Sequence, residues 1–449
     1  MPRLKVAITT LGCKVNRYES EHIIGALGDQ HYEIVPFESR ADFYVINTCS
    51  ITAGADRDSK RKIRLAQRLN PDACLIVTGC YAQVAAAEIR QNFPVHYIVG
   101  TSEKHTIPDL IRNFQPSLSS PREIIGDPAE QLTYFDTPVQ QFQQQTRAYI
   151  KIQDGCNRRC SYCIIPRARG QSRSLPLPAV MSRLEQLATA GYREIVITGI
   201  NLSDYGRDLS PQSSLYELLA EIERNAPLVR IRLTSLEPSS CNDRLLAILH
   251  SSKKFCPHLH ISLQSADPRV LKQMRRGLNL PRFQERLREY QAAIPNLFIG
   301  FDIIVGFSGE GEAEFENTAN FLRNQTGIYL HVFPFSKRQG TEAASMPDQV
   351  DQETKKKRVA ILRAIGEASR LAFYQRYIGT IQPVLFEAMD EKRGYLSGHT
   401  PNYIPVLVRS DLCPIERSAL QNTEHNVLIE RVEPPEVLGC LLPEAASNL

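Results

Sequence analysis

The chain has 449 residues, 11 cysteines and no tryptophan, and is 42% hydrophobic and 23% charged. That composition excludes a disordered, collagenous or disulfide-stapled small protein and leaves length for two or three cores. The net charge is +4, split as +2 over residues 1–115, +6 over 116–372 and −4 over 373–449, so a polyanion meets the first two regions electrostatically and the tail on other terms.

Residues 1–115 alternate short apolar runs (Lys5–Thr10, Asp42–Asn47, Cys74–Thr78) with helical patterns such as Glu19–Leu27 and Asp58–Leu69. Strands alternating with helices of this length predict a small parallel α/β sheet. Residues 116–145, rich in Pro, Ser and Gln, read as a linker. Within 146–372 six strands are predicted: Ala148–Gln153, Glu194–Ile200, Arg230–Leu236, Leu259–Leu263, Phe298–Val305 and Ile328–Phe335. Their spacing leaves one helix per crossover, and six βα units are fewer than a closed (β/α)8 barrel needs, so a partial TIM-like (β/α)6 barrel follows. Residues 351–372 read as a charged amphipathic helix leading out of it. Over 373–449 the pattern becomes period-two (Pro383–Glu387, Tyr403–Val408, Asn426–Arg431), a small all-β barrel. The overall class is α/β with a C-terminal β module.

No apolar run approaches the roughly 18 residues of a membrane span, and the first residues lack the apolar core of a signal peptide. A cytoplasmic protein without membrane contact is expected. Thiols there stay reduced, and spaced cysteines more often serve metals or catalysis than disulfides. The sharpest spacing is Cys156-Asn-Arg-Arg-Cys160-Ser-Tyr-Cys163, just after a predicted strand. Structural zinc wants four protein ligands, and the next Cys or His lies far away at Cys241. Three thiolates on an iron–sulfur cubane leave one iron open for a reactive ligand, so the spacing favours a cluster over zinc. A second set is told by position. Cys13, Cys49 and Cys80 each lie just past the C-terminal end of a predicted parallel strand, where α/β sheets build their ligand crevice. Three small buried cysteines are the alternative, and position alone leaves both open. Cys74, at the start of its strand, reads as packing.

The motifs carry a resemblance. GCNRRCSYCIIPRARG (155–170) resembles the CxxxCxxC loop of radical SAM enzymes, with Tyr162 at the aromatic position before the third cysteine. The whole chain resembles the radical SAM methylthiotransferase family through GCKVNRYESE (12–21), INTCS (46–50), VTGCYAQ (77–83), ITGINLSDYG (197–206), HISLQS (260–265) and DIIVGF (302–307). Within that family, GCKVN is the form of the branch acting on N6-threonylcarbamoyladenosine in tRNA; the isopentenyladenosine branch typically reads GCQMN and the ribosomal S12 aspartate branch GCPKN. Two departures are Ser308 and Gly311, where the family usually reads VGFPGET, and Ala266, where it has Gly after HISLQS.

The resemblance implies two [4Fe–4S] clusters. One, on Cys156, Cys160 and Cys163, binds S-adenosylmethionine (SAM) and cleaves it to a 5′-deoxyadenosyl radical that takes hydrogen from C2 of the modified adenine. The other, on Cys13, Cys49 and Cys80, carries the sulfur, methylated by a second SAM. An unactivated aromatic C–H offers no proton to a side chain, so cofactor radical chemistry is the available route. Expected SAM contacts are Tyr162, Gly199, Asn201, Ser235, Glu237, Ser262, Gln264, Asp302 and Gly306, the last for close backbone approach to the adenine. The TRAM domain of the family corresponds to the C-terminal β module. The implied partners of a monomeric enzyme are the tRNA anticodon stem-loop, an electron donor such as a flavodoxin or ferredoxin, and a sulfur donor. The rival readings are the same chemistry on isopentenyladenosine or on a ribosomal protein aspartate, and a non-catalytic RNA-binding protein with structural metal. Candidate phosphate contacts are the basic residues of 56–68, and Arg158, Arg159, Arg167, Arg169 and Arg173; His399–Tyr403 is the candidate RNA patch of the tail.

Overall fold

The computed structural model describes residues 3–28, 30–114, 121–134, 138–139, 142, 146–390, 394–409 and 420–442, with backbone only for 388–390. Its first sheet has six strands, all parallel, in the order Tyr32–Val35, Leu4–Thr10, Phe43–Thr48, Cys74–Gly79, Tyr97–Val99, Arg122–Ile124. Phe43–Thr48 and Cys74–Gly79 are buried at every residue, as expected of central strands covered on both faces. The last strand falls inside the stretch expected as a linker. It is short, polar and largely exposed, an edge strand that pattern does not reveal.

The second unit is a partial barrel of six parallel strands: Arg147–Lys151, Glu194–Thr198, Arg230–Leu233, His258–Gln264, Phe298–Val305 and Ile328–Pro334. The first three and the last three pair as separate sheets, joined by the bridges Ile231–Phe255 and Leu236–Ile261. Crossover helices clad the outside. Leu215–Asn225 is representative: Ser214 caps it by accepting from the Glu217 amide, and Leu215, Leu218, Leu219 and Ile222 form its buried stripe. Each such side chain contributes about 1.5–3 kcal/mol by leaving water. Helix Gln352–Gln375 leads out, and its Lys355 and Arg358 are buried, Arg358 bonding Glu310 at 2.8 Å.

The tail is a closed five-stranded barrel in the order Ile381–Asp390, Tyr395–His399, Pro405–Arg409, Glu436–Leu441, Glu424–Glu433. It docks beneath the larger barrel, at the end where the strands begin. Arg230 donates to the backbone carbonyls of His399 (3.1 Å) and Pro383 (3.2 Å), and Arg232 to that of Pro401 (3.1 Å). Tyr403 lies under the guanidinium groups of Arg232 (4.6 Å) and Arg147 (5.4 Å) and against His258. The turn expected to contact RNA, His399–Tyr403, is therefore a plug under the barrel, with Thr400 and Asn402 buried. Among the described residues, no helix is long and apolar enough to cross a membrane.

Candidate functional site

Parallel topology brings the first three cysteines to one rim. Cys13 caps helix Lys14–Leu27, Cys49 directly follows strand Phe43–Thr48, and Cys80 opens the short helix after strand Cys74–Gly79. Gly12 makes the approach possible. Its φ is +92°, and a Cβ there would lie 2.6 Å from the Cys49 sulfur. Burial pushes the Cys49 thiol up to about 12, with the neighbouring Cys80 and Cys13 adding to it. Burial also raises the Cys80 thiol, opposed by the positive charges of Arg169 and Lys104. Cys74 is fully buried in the apolar layer at the other end, as its position implied.

The second set is held by a loop that starts from the barrel's first strand. Gly155 turns it with φ +70°, where a Cβ would sit 1.9 Å from the Gln171 carbonyl. The Cys156 amide donates to the Gly170 carbonyl at 3.0 Å and the Cys163 amide to that of Cys160 at 3.1 Å. Burial pushes Cys156 up to about 11 and Cys163 up to about 12, with the adjacent thiols contributing. Donors face the sulfurs: Asn201 Nδ2 lies 3.9 Å from Cys156 Sγ, and Arg276 Nη1 3.8 Å from Cys160 Sγ.

Both sets meet at one cavity of about 570 Å³ between the two units, its walls including Cys13 and Cys49 on one side and Cys156, Cys160 and Cys163 on the other. Apolar side chains such as Ile51, Ile200, Phe333 and Phe335 make much of the rest. Cys80 is not on this wall; it is 2% exposed and lies behind, next to Arg169. Of the expected SAM contacts, Tyr162, Asn201, Glu237, Ser262, Gln264 and Asp302 line the cavity. Gly199, Ser235 and Gly306 do not. Gly199 packs on Gln153, Ser235 spends its carbonyl on the Leu202 amide, and the space beside Gly306 is taken by the Lys355 side chain, 2.3 Å from where a Cβ would be. The absent side chain at Gly306 thus admits a helix residue. Ser308 is buried and bonds the Pro347 carbonyl, away from the cavity wall.

Sequence pattern missed the charged joint under the cavity. Glu19 of the first unit accepts from Arg169 (2.9 Å) and Lys151 (3.2 Å) of the second and pairs with Lys104; Asp154 accepts from Arg169 at 2.8 Å. All five side chains are buried. Three cations against two carboxylates leave one positive charge over, beside the Cys80 thiol. Arg169 and Arg173 are therefore structural and not phosphate contacts, whereas Arg159 and Arg167 stay exposed. On helix Ala53–Leu69, Arg57, Arg61, Arg64 and Arg68 are exposed while Asp56 turns inward to Arg338 of the other unit at 2.6 Å. Arg276 and Arg338 were also missed; each finds its carboxylate far away in sequence, beyond the reach of any local pattern.

The comparisons agree with this architecture. Residues 5–100 match the family model described as "Uncharacterized protein family UPF0004" and residues 150–322 that of the radical SAM superfamily. A Bacillus subtilis relative, the threonylcarbamoyladenosine tRNA methylthiotransferase MtaB, is 40% identical over 90% of this chain and 90% of its own length. A Carboxydothermus hydrogenoformans relative, a tRNA-2-methylthio-N(6)-dimethylallyladenosine synthase, is 34% identical over 86% of this chain and 88% of its own. Among solved structures, the radical SAM methyltransferase TsrM from Kitasatospora setae superposes with TM-score 0.54 at 16% identity, covering 74% of this chain and 75% of that one. At that identity the likeness speaks for the fold.

Proposed function

The chain belongs to the radical SAM methylthiotransferases, and on that premise we propose that it adds a methylthio group to C2 of N6-threonylcarbamoyladenosine in the anticodon loop of tRNA. Membership makes it a transferase that uses SAM and a [4Fe–4S] cluster. The substrate reading rests on GCKVN at residues 12–16 and on the 40% identity to a relative of that name.

The observation that carries the reading is one cavity walled by Cys13 and Cys49 of the first unit, with Cys80 behind them, and by Cys156, Cys160 and Cys163 of the second. Each set fits a cubane in the same way. Each set offers three thiols, and among the described residues no fourth cysteine or histidine stands beside either, so one iron of each would be open. The cations beside Cys80, Arg169 and Lys104, belong to a buried cluster with more cations than carboxylates, which suits a thiolate ligand. When bound, a cluster on Cys156, Cys160 and Cys163 supplies the electron that cleaves SAM, and one on Cys13, Cys49 and Cys80 supplies the sulfur.

The protein's own part is placement. Arg276 and Asn201 direct N–H groups at the second set of sulfurs, which favours added negative charge there. Glu237 is fixed by Arg276 and offers a carboxylate at the cavity wall for ribose hydroxyls. Ile51, Ile200, Phe333 and Phe335 keep the space apolar, which limits quenching of a radical by water. The target base must leave its stack to enter. Exposed Arg57, Arg61, Arg64, Arg159 and Arg167 supply phosphate contacts around the mouth. An electron donor of flavodoxin or ferredoxin type and a separate sulfur donor complete the cycle, in the cytoplasm.

Anaerobic reconstitution tests the cofactor set. About eight irons per chain is the expected content for two cubanes. Zinc alone, or about four irons with all six cysteines intact, contradicts it.

A further inference from the structure

Three neighbouring barrel strands each bring one nitrogen or oxygen donor to a common point. His260 comes from strand His258–Gln264, Asp302 from Phe298–Val305 and His331 from Ile328–Pro334. The strands run parallel and side by side, with Asp302 and His331 paired in register. His260 Nε2 lies 2.9 Å from Asp302 Oδ1, and His331 Nδ1 lies 3.4 Å from the same oxygen. The three ligand atoms all fall within 4.8 Å of one another. None of these residues belongs to either cysteine set.

Such separations suit ligands gathered around one small cation. With bonds of about 2.1 Å, two ligands stand about 3.0 Å apart at a right angle and about 3.4 Å apart at the tetrahedral angle. The donor types agree. Two imidazole nitrogens and one carboxylate oxygen form a borderline set that suits a divalent first-row ion, whereas calcium and magnesium want oxygen alone. At a given set of this kind zinc binds more tightly than ferrous iron.

The surrounding hydrogen bonds can serve the same arrangement. A neutral histidine that gives one ring nitrogen to a metal keeps its proton on the other. In His260 that other nitrogen is Nδ1, which lies 3.1 Å from the Tyr329 hydroxyl. The Tyr329 oxygen accepts there, and its own proton goes to His258 Nε2 at 2.9 Å. Gly300 makes room for this link, since a Cβ at that position would collide with the Tyr329 ring. Ser262 donates to the second Asp302 oxygen at 3.3 Å, which leaves Oδ1 for the ion. Two of the three ligands thus have the outer partners that orient metal ligands in proteins. In His331 the proton sits on Nε2, and that side chain is 50% exposed, so water can accept it.

Asp302 and His331 also line the cavity between the cysteine sets. Three protein ligands leave a tetrahedral zinc one further position. The cavity is the side from which water, or an oxygen of a bound molecule, can fill it.

We propose that His260, Asp302 and His331 form a zinc site with one open position at the cavity wall. On this assignment Asp302 holds the ion and does not contact SAM. The site stands apart from the substrate reading, because neither the clusters nor threonylcarbamoyladenosine requires it.

The test uses full-length enzyme reconstituted with iron and sulfide, so that the six cysteines are occupied before zinc is added. Labile metal is removed with EDTA, zinc sulfate is added, and the protein is desalted. Metal analysis of wild type should give about one zinc per chain beside the iron. X-ray absorption at the zinc edge should show nitrogen and oxygen neighbours only, at about 2.0–2.2 Å. His331→Ala and Asp302→Asn should each lose the zinc and keep the iron, and the retained iron is the control for folding. Wild type that retains no zinc overturns the assignment and makes the trio a hydrogen-bonded cluster only. Sulfur neighbours around the zinc, or zinc undiminished in both variants, also overturn it. Iron is read in the same samples. A wrong iron content with zinc on nitrogen and oxygen would contradict the cluster reading and leave this one standing.

Discussion

Arg169 of the cysteine loop donates to Glu19 of the first unit at 2.9 Å, both side chains buried, and the same guanidinium lies against Cys80. One residue thus ties the two units together and sets the charge around a thiol. Its loop also carries Cys163, so the registry of the two cysteine sets is fixed through it.

Removing Glu19 leaves Arg169, Lys104 and Lys151 with Asp154 alone. Glu19→Ala should destabilise the protein by about 3–5 kcal/mol, the usual cost of orphaning buried charge. The shift of the denaturant midpoint measures it. Breaking the exposed pair Arg61–Asp58 by Asp58→Ala should leave the midpoint unchanged within error.

Acid should loosen the same joint. Burial raises Glu19 and Asp154, but the surrounding cations outweigh it and hold Glu19 well below its usual value and Asp154 at about 2. Folded-state values below the unfolded ones mean that this stability is present above about pH 4.5 and is lost as pH falls through the folded values. Melting temperature followed from pH 6 to pH 3 should fall, and Glu19→Gln should flatten the slope.

Gly12→Ala places a methyl group into the Cys49 sulfur and forces an L side chain to φ +92°. Reconstituted protein should then hold about four irons instead of about eight, with the set on Cys156, Cys160 and Cys163 retained. Iron assay with electron paramagnetic resonance of the reduced protein distinguishes loss of one cluster from loss of both.

Separating the two thiol sets separates two activities. Cys13→Ala should abolish methylthio transfer but leave reductive cleavage of SAM to 5′-deoxyadenosine measurable. Cys156→Ala should abolish both. Equal loss of both activities in the two variants would show that the sets do not divide the work.

Much of this site was readable from sequence because parallel topology is forgiving. Once Leu4–Thr10, Phe43–Thr48 and Cys74–Gly79 are strands, Cys13, Cys49 and Cys80 must share a rim whatever the loops do. Phe298–Val305 was placed to the residue because a buried barrel strand is apolar at nearly every position. Tyr395–His399 and Glu436–Leu441 escaped notice because short strands with Gly in them carry little pattern. The buried arginines escaped for a different reason. Arg169 reads as a phosphate contact, and Arg232 and Arg276 carry no local signal, until partners distant in the chain are brought to them. His399–Tyr403 misled in the same way, since a turn rich in polar and aromatic groups suits RNA and suits a buried plug equally. Cys413, one of the five cysteines outside the two sets, lies outside the described residues.

The central claim is methylthio transfer to threonylcarbamoyladenosine by two thiol sets acting on one cavity. Mass spectrometry of nucleosides from the tRNA of a deletion strain tests it most directly. The account predicts that 2-methylthio-N6-threonylcarbamoyladenosine disappears, that unmodified N6-threonylcarbamoyladenosine accumulates, and that the wild-type gene restores the product while Cys13→Ala does not. Unchanged 2-methylthio-N6-threonylcarbamoyladenosine in the deletion strain would contradict it.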